Sequence, residues 1–209
     1  MLPGLFITFE GVEGAGKTTQ ISLLTSFLEQ RAIRVRLTRE PGGDALAETV
    51  RSLVLNRHVT PRAELLLFLA SRAQNVESVI RPALADGDCV ICDRYIDSSI
   101  AYQGYGRGIG RDTVARLNEF ATSGLTPDLT ILLDLDPAVG LDRQSDHNRM
   151  EAESLAFHQR VREGFLRESE NDTVRFCVLD ASGRADDLHA AIRARVEQLI
   201  DRRGGAGSL

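Results

Sequence analysis

The segment Gly11-Val12-Glu13-Gly14-Ala15-Gly16-Lys17-Thr18 restricts the fold more than any other stretch of the chain. It meets every fixed position of the phosphate-loop pattern GxxxxGK[ST], whose confirming surroundings are a strand before it and a helix after it. Both are present: Leu5-Phe6-Ile7-Thr8-Phe9 reads as a buried strand and Thr19 to Gln30 as an amphipathic helix. Its glycines let backbone N–H groups turn inward around polyphosphate oxygens, where a Cβ would intrude. Lys17 is the only lysine among the 25 Lys and Arg residues. A compact ammonium on a flexible stem reaches between β- and γ-phosphates, a task a broad guanidinium fits poorly. Thr18 offers a hydroxyl to Mg2+, and the following helix presents its positive N-terminus to the phosphates. The ordinary alternative is a glycine-rich turn that happens to precede a helix. The flanking strand and helix argue against it, so nucleoside triphosphate binding is expected. The lysine count also argues against a guanine-nucleotide switch, whose base-reading Asn-Lys-x-Asp loop needs a second lysine.

Further strand-like and helix-like segments alternate after this first unit. Arg34–Thr38 reads as a strand, Asp44–Leu55 as a helix, and Pro61–Ala85 as a longer helix with a kink or break near Pro82. Val90–Cys92 is a third strand ending at Asp93, followed by helical stretches around Ser99–Gln103 and Asp112–Thr122. Leu129–Asp134 is a fourth strand, Glu151–Glu170 a helix, Val174–Leu179 a fifth strand and Asp186–Arg202 a closing amphipathic helix. Apolar strands interleaved with helices define an α/β protein with a five-stranded parallel sheet and helices on both faces. In such sheets ligands bind beyond the carboxyl ends of the strands. That rule gathers Glu10–Thr18, Arg39–Gly43, Asp93–Ser99 and Asp134–Gly140 around one cleft.

At 22.9 kDa the chain has room for one well-buried core. Residues 1–203 are expected as a single domain, with a short lid at about 143–150 and a low-complexity, disordered tail over 204–209. A net charge of −5 gives no general attraction to nucleic acid or acidic membrane. No apolar run reaches the ~18–20 residues that span a bilayer, and no signal peptide precedes the first strand. Cys89-Val90-Ile91-Cys92 has redox or metal spacing, but positions i and i+3 of a strand face opposite ways. These read as core cysteines in a soluble cytoplasmic enzyme.

Several cleft residues carry two readings. Asp93 at a strand end suits Mg2+ ligation or helix capping. Arg94 can fork onto a phosphate, while Arg39 in Arg39-Glu40-Pro41-Gly42-Gly43 is, alone, an arginine in a turn. Phe68 and Arg72 share a helix face; spacing alone favours a core phenylalanine beside a solvent-facing arginine. Tyr102 and Gln103 open a glycine-punctuated stretch that is either a surface loop or a substrate-gripping one. The polar run Arg143–Arg149 is either an ordinary loop or a closing lid whose arginines reach a transferred group. His147 within it reads as solvated; His58, His158 and His189 are isolated and carry no signal.

Together these segments closely resemble the thymidylate kinase family in its bacterial form, over about residues 5–200. The resemblance rests on Phe9-Glu10-Gly11 through Lys17-Thr18-Thr19-Gln20 and on Thr38-Arg39-Glu40-Pro41-Gly42-Gly43. It extends to Asp93-Arg94-Tyr95, Ala101-Tyr102-Gln103-Gly104, Pro127-Asp128-Leu129 and Asn148-Arg149. It implies a three-layer P-loop nucleoside monophosphate kinase fold, ATP and dTMP as substrates, Mg2+ as cofactor, and a homodimer. ATP would be held by Gly11, Val12, Glu13, Gly14, Ala15, Gly16, Lys17, Thr18, Thr19 and Arg143, with Thr18 and Asp93 at the metal. Phe68 would stack on thymine and Arg72 would hydrogen-bond a base carbonyl. Arg94 and Arg39 would hold the monophosphate, Glu13 would lie near the 3′-hydroxyl, and Tyr102 would lie against the deoxyribose. Ser99 and Gln103 would support the acceptor site. Gly14 stands where one subclass carries an arginine; members with glycine there supply a lid arginine instead, for which Arg149 is the candidate. Lys17, Asp93, Arg94 and Arg149 are thus the implied catalytic set, and Glu151 or Glu153 would assist. Two other readings compete: a kinase for a different small acceptor, and a partner-binding ATPase or switch, for which an acceptor-type arginine set is superfluous.

Overall fold

Leu5–Glu10 forms β1, and all six of its residues are buried. Burial on both faces follows from its place: the five strands run parallel in the order β2-β3-β1-β4-β5, with β1 in the middle. The others are β2 (Val35–Arg39), β3 (Cys89–Asp93), β4 (Leu129–Asp134) and β5 (Phe176–Asp180). This is a computed structural model, and it describes residues 4–143 and 149–205, excluding the side chains of 204 and 205. Residues 144–148, most of the expected lid and including His147, lie outside the described residues, as do 206–209 of the expected tail.

Side-chain alternation splits the core between the two faces of the sheet. Leu5, Ile7, Phe9, Cys89 and Ile91 pack on one face with Leu24, Leu28, Ile192 and Val196. Phe6, Val90 and Cys92 pack on the other with Val76, Ile80 and Tyr95. Cys89 and Cys92 therefore belong to opposite faces, as the period of two requires.

The helices are α1 (Lys17–Gln30), α2 (Ala45–Asn56), α3 (Pro61–Asn75), α4 (Arg81–Ala85), α5 (Ile96–Ser99), α6 (Arg111–Thr122), α7 (Pro137–Asp142), α8 (Leu155–Asn171) and α9 (Ala185–Gly205). Among the described residues none is long and apolar enough to cross a membrane. The expected break near Pro82 is a π-helical turn at Val76–Ile80, just before the proline that cannot donate its N–H. The main departures from the sequence reading are these. The Pro137–Asp142 helix, capped by Asp136 onto the Ala138 N–H, was not among the helices read from the sequence. The stretch from Ile100 to Gly106 is a buried π-helix, because Gly106 and Gly164 let it press against α8 without a Cβ in the way. Helix α8 starts four residues later than expected, where Ser154 accepts from the Phe157 N–H. Helix α9 continues through Gly205, two residues into the expected tail.

From β1 the chain crosses to the β2 edge, and from β3 it crosses back to β4. The connections leaving two neighbouring strands thus diverge, which opens a crevice beyond their carboxyl ends. Register brings Phe9 opposite both Asp93 and Ile131, and Arg39 opposite Asp93, so the expected segments converge on that edge.

Candidate active site

The loop between β1 and α1 wraps the Lys17 ammonium. Nζ donates to the carbonyls of Gly11 at 3.2 Å and Val12 at 3.0 Å. Gly14 and Gly16 take positive φ of 70° and 90°, and Gly16 caps α1 in the left-handed region. A Cβ on Gly14 would overlap the Gly140 backbone, and one on Gly140 would overlap the Glu13 carbonyl oxygen. The phosphate loop and α7 therefore meet backbone to backbone. Burial, then the Arg94 charge, lowers the Lys17 pKa to about 8, against the pull of Asp93, Glu13 and Glu10.

A cleft of about 530 Å3 opens beside this loop, within the range of small-molecule sites. Of the expected residues, Glu13, Gly14, Ala15, Gly16, Lys17, Thr18, Arg39, Phe68, Arg72, Asp93, Arg94, Ser99, Tyr102, Gln103 and Arg143 line it. Gly11, Val12 and Thr19 do not; the first two contribute the carbonyls that hold Lys17. Asp134 also stands off, in a paired contact with Arg162 at 2.7 and 2.8 Å.

Arg94 takes a φ of 71°, rare for a residue with a side chain, and this turns it back over the loop. Nη1 donates to Gly11 O at 3.0 Å and Ser98 Oγ at 3.2 Å, and Nη2 to Glu13 Oε1 at 3.1 Å. Its guanidinium stands 5.1 Å from the centre of the Tyr102 ring. Glu10 braces the turn from beneath, accepting from Tyr95 N at 2.7 Å, Ser98 N at 3.3 Å and Ser98 Oγ at 2.5 Å. Burial, with the Asp97 charge, pushes the Glu10 carboxyl up to about 8. Burial would raise Glu13 as well, yet Arg94, His158, Lys17 and Tyr102 together hold it well below the usual carboxylate range.

Glu64, Phe68 and Arg72 are four residues apart on α3. Arg72 is 1% exposed, which corrects the solvent-facing arginine that spacing favoured. Its guanidinium is compensated on all sides: Nε donates to Glu40 at 2.6 Å, Nη1 to Ser99 at 2.9 Å and to Asn118, and Nη2 to the Tyr95 carbonyl at 2.9 Å. Among the described residues that leaves one Nη2 hydrogen for a ligand. Glu64, fully buried, collects Gln103 Nε2 at 2.9 Å, Arg107 Nε at 3.2 Å and Arg149 Nη2 at 2.6 Å. Arg149 also donates to the Val54 carbonyl at 2.8 Å and does not line the cleft. Arg143, by contrast, donates to Gly14 O at 3.1 Å, on the phosphate loop itself. Glu151 lines the cleft, while Glu153 pairs with Arg107 at 2.6 Å. Arg39 lines the cleft mouth paired with Glu48 at 3.0 Å.

Sequence reasoning missed Arg51 and His158. Arg51 lines the cleft from α2, donating to the Pro41 carbonyl at 3.0 Å. Its signal was the stripe Glu48, Arg51, Leu55 on one helix face. His158 lies buried behind Glu13, where an isolated histidine in a helix gives no sign of it.

Asp93 Oδ1 is buried without a hydrogen-bond partner among the described residues, on the same cleft as Thr18. A phosphate loop with its lysine, an acid at the end of the neighbouring strand, and Arg39, Arg72 and Arg94 on the same cleft are the marks of a P-loop phosphotransferase. A sequence profile of the thymidylate kinase family matches residues 9–192. The chain is 49% identical to the thymidylate kinase of Geotalea daltonii over 206 residues, spanning 92% of this chain and 96% of that protein. It is 50% identical to that of Deinococcus radiodurans over 203 residues, 95% and 98% of the two chains. The crystal structure of thymidylate kinase from Ehrlichia chaffeensis superposes with a TM-score of 0.77 at 37% identity, covering 93% of this chain and 98% of that one. The chain belongs to the thymidylate kinase family.

Proposed function

We propose that the chain transfers the γ-phosphoryl group of ATP to dTMP, giving ADP and dTDP for dTTP synthesis. The observation that carries this reading is that Lys17 and Arg94 line one cleft with Phe68 and Arg72, which supports a polyphosphate site beside a base pocket. The acceptor is a phosphate oxygen, already anionic at neutral pH, so the reaction needs positioning and charge neutralisation more than a strong base. In this assignment the loop N–H groups and Lys17 grip the ATP phosphates, and Arg94 with Arg39 holds the acceptor phosphate. Phe68 stacks on thymine while the free Arg72 hydrogen reaches a base carbonyl. Tyr102 and Glu13 flank the sugar, and Ser99 and Gln103 brace the base side.

Thr18 and Asp93 would hold Mg2+, and the orphaned Asp93 oxygen fits that task. No cluster of three His, Cys, Asp or Glu exists among the described residues, which suits an ion completed by phosphates and water. When bound, it neutralises charge on the β- and γ-phosphate oxygens. Of the two arginines implied for the lid, Arg143 is the one on the phosphate loop, so the donor-side guanidinium is assigned to it. Arg149 anchors Glu64 in this arrangement.

The assembly in this reading is a homodimer. It is supported by Leu46, Leu53, Leu66 and Phe120, large apolar side chains exposed on α2, α3 and α6. The compartment is the cytoplasm, in keeping with three free thiols, and the −5 charge offers nucleic acid and acidic lipid no attraction.

The test is ADP release from ATP and Mg2+ with dTMP, dUMP, dCMP, AMP or no acceptor. Strong stimulation by dTMP is expected, with dUMP a poor substrate, since one methyl group in a pocket is worth only ~1–3 kcal/mol. Equal turnover with dTMP and AMP would sink the assignment.

A further inference from the structure

The Glu13 carboxylate uses its two oxygens unequally. Oε1 accepts from Tyr102 Oη at 2.6 Å and from Arg94 Nη2 at 3.1 Å. Oε2 is buried and has no hydrogen-bond partner among the described residues. Nδ1 of His158 lies 3.5 Å from it. The imidazole is 1% exposed, and neither ring nitrogen has a hydrogen-bond partner among the described residues. An acceptor and a potential donor, both withdrawn from water, thus face each other with no other match. Leaving both unpaired costs about 1–3 kcal/mol per group. The gap exceeds an ordinary N–H···O length by about 0.5 Å, which a small rotation of either side chain closes.

The backbone behind the imidazole is fixed. Phe157 and Val161 close over Gly106, where a Cβ would collide with the Phe157 ring, and Gly164 sits under the Tyr105 ring in the same way. His158 does not line the cleft, whereas Glu13, Arg94 and Tyr102 do. It stands one layer back, touching the carboxylate that ties the phosphate-binding arginine to the tyrosine.

We propose that His158 is a positioning residue for the acceptor nucleotide, donating Nδ1–H to Glu13 Oε2 and so fixing the carboxylate that holds Arg94 and Tyr102. This rests on the acceptor-side roles given above to Glu13, Arg94 and Tyr102. Without the donor, Glu13 is free to turn its orphaned oxygen toward Arg94 or Lys17, and the Arg94–Tyr102 arrangement slackens. Acceptor binding suffers first. The donor triphosphate, gripped by backbone N–H groups, is affected much less.

The test uses three substitutions, because an asparagine amide reproduces the Nδ1 donor and a glutamine amide the Nε2 position. His158→Phe fills the site without a donor and is expected to raise KM for dTMP roughly tenfold, the worth of one hydrogen bond to a charged group. KM for ATP is expected to stay unchanged. His158→Asn should restore most of the loss and His158→Gln should not. In a Glu13→Gln background the further change to phenylalanine should have no effect on KM for dTMP. Nitrogen NMR of 15N-histidine-labelled protein gives a readout that needs no turnover: Nδ1 of His158 should carry the proton, and Glu13→Gln should move it to Nε2. Parental KM for dTMP in His158→Phe, equal behaviour of the asparagine and glutamine variants, or an imidazole signal indifferent to Glu13→Gln each overturns the proposal. If the parent chain shows no dTMP-stimulated ADP release, the acceptor reading fails by itself, and the NMR result still decides the His158–Glu13 contact.

Discussion

Lys17 sits against the carbonyl oxygens of Gly11 and Val12, and its pKa of about 8 has two consequences of opposite sign. In the proposed reading ATP meets the ammonium form, so KM for ATP should rise as pH passes through about 8 and the free lysine loses its proton. Folding stability responds the other way. The folded pKa lies below the 10.5 of an ordinary lysine, so the unfolded chain binds more protons between those values and this group adds stability as pH rises across that window. ATP titrations and thermal melts at pH 7, 8 and 9 separate the two. The arginines beside 144–148 give a second residue-level prediction. Arg143→Ala should lower kcat by ~10³ or more, by analogy with arginine fingers. Arg149→Ala should mainly lower Tm, because it leaves the buried Glu64 with one fewer cation, a loss of about 2 kcal/mol against the ~3–5 kcal/mol of a fully broken buried pair. A variant pair with the effects exchanged would return the transferred group to Arg149. The places of Lys17, Asp93 and Arg94 on the cleft were legible, Lys17 from the phosphate-loop spacing and the other two from the end of an apolar strand. The burial of Arg72 was not legible, since an arginine four residues from a phenylalanine reads the same whether its guanidinium meets water or Glu40, Ser99 and Asn118.

Two short elements bring these residues to working distance. Helix α7 supports the phosphate loop through Gly140, whose missing Cβ admits the Glu13 carbonyl. Gly140→Ala should favour helix by up to ~1 kcal/mol on propensity alone. Its methyl nevertheless collides with the loop, so the expected outcome is a KM for ATP raised at least tenfold, measured beside a melt showing the chain still folded. The π-helix from Ile100 to Gly106 sets Tyr102 and Gln103 toward the cleft while pressing its glycines against α8. The glycine punctuation of that stretch suggested a flexible loop; its glycines instead serve close packing. Helix α3 carries Glu64, Phe68 and Arg72 on one stripe, so one rigid element sets both the cleft wall proposed to take the base and the anchor for Gln103 and Arg149.

At the scale of the molecule, the reversal of connections about β1 and β3 makes the cleft, and the faces turned away from it remain to be covered. Exposed Leu66 and Phe120 on adjoining helices α3 and α6 predict self-association. Light scattering after gel filtration should give twice 22.9 kDa, and Leu66→Asp with Phe120→Asp should give that mass once. A parent that elutes as a monomer at micromolar concentration removes the dimer from the reading.

The α/β class, the five strands, the phosphate loop and the gathering of Arg39–Gly43 and Asp93–Ser99 beside it were already determined by the sequence, because hydrophobic period and motif spacing are local properties; of the fourth segment, Asp134–Gly140, no residue lines the cleft. The order β2-β3-β1-β4-β5 agrees with them but is not contained in them. Tertiary structure alone decided the burial of Arg72, the seating of Arg149 on Glu64, the arrival of Arg51 at the cleft and the approach of His158 to Glu13. Each depends on which groups from distant segments share a desolvated volume, and 145 residues separate Glu13 from His158 along the chain. No periodicity or spacing encodes a contact of that kind; it exists only once α8 has packed against the π-helix and brought its histidine beneath the phosphate loop.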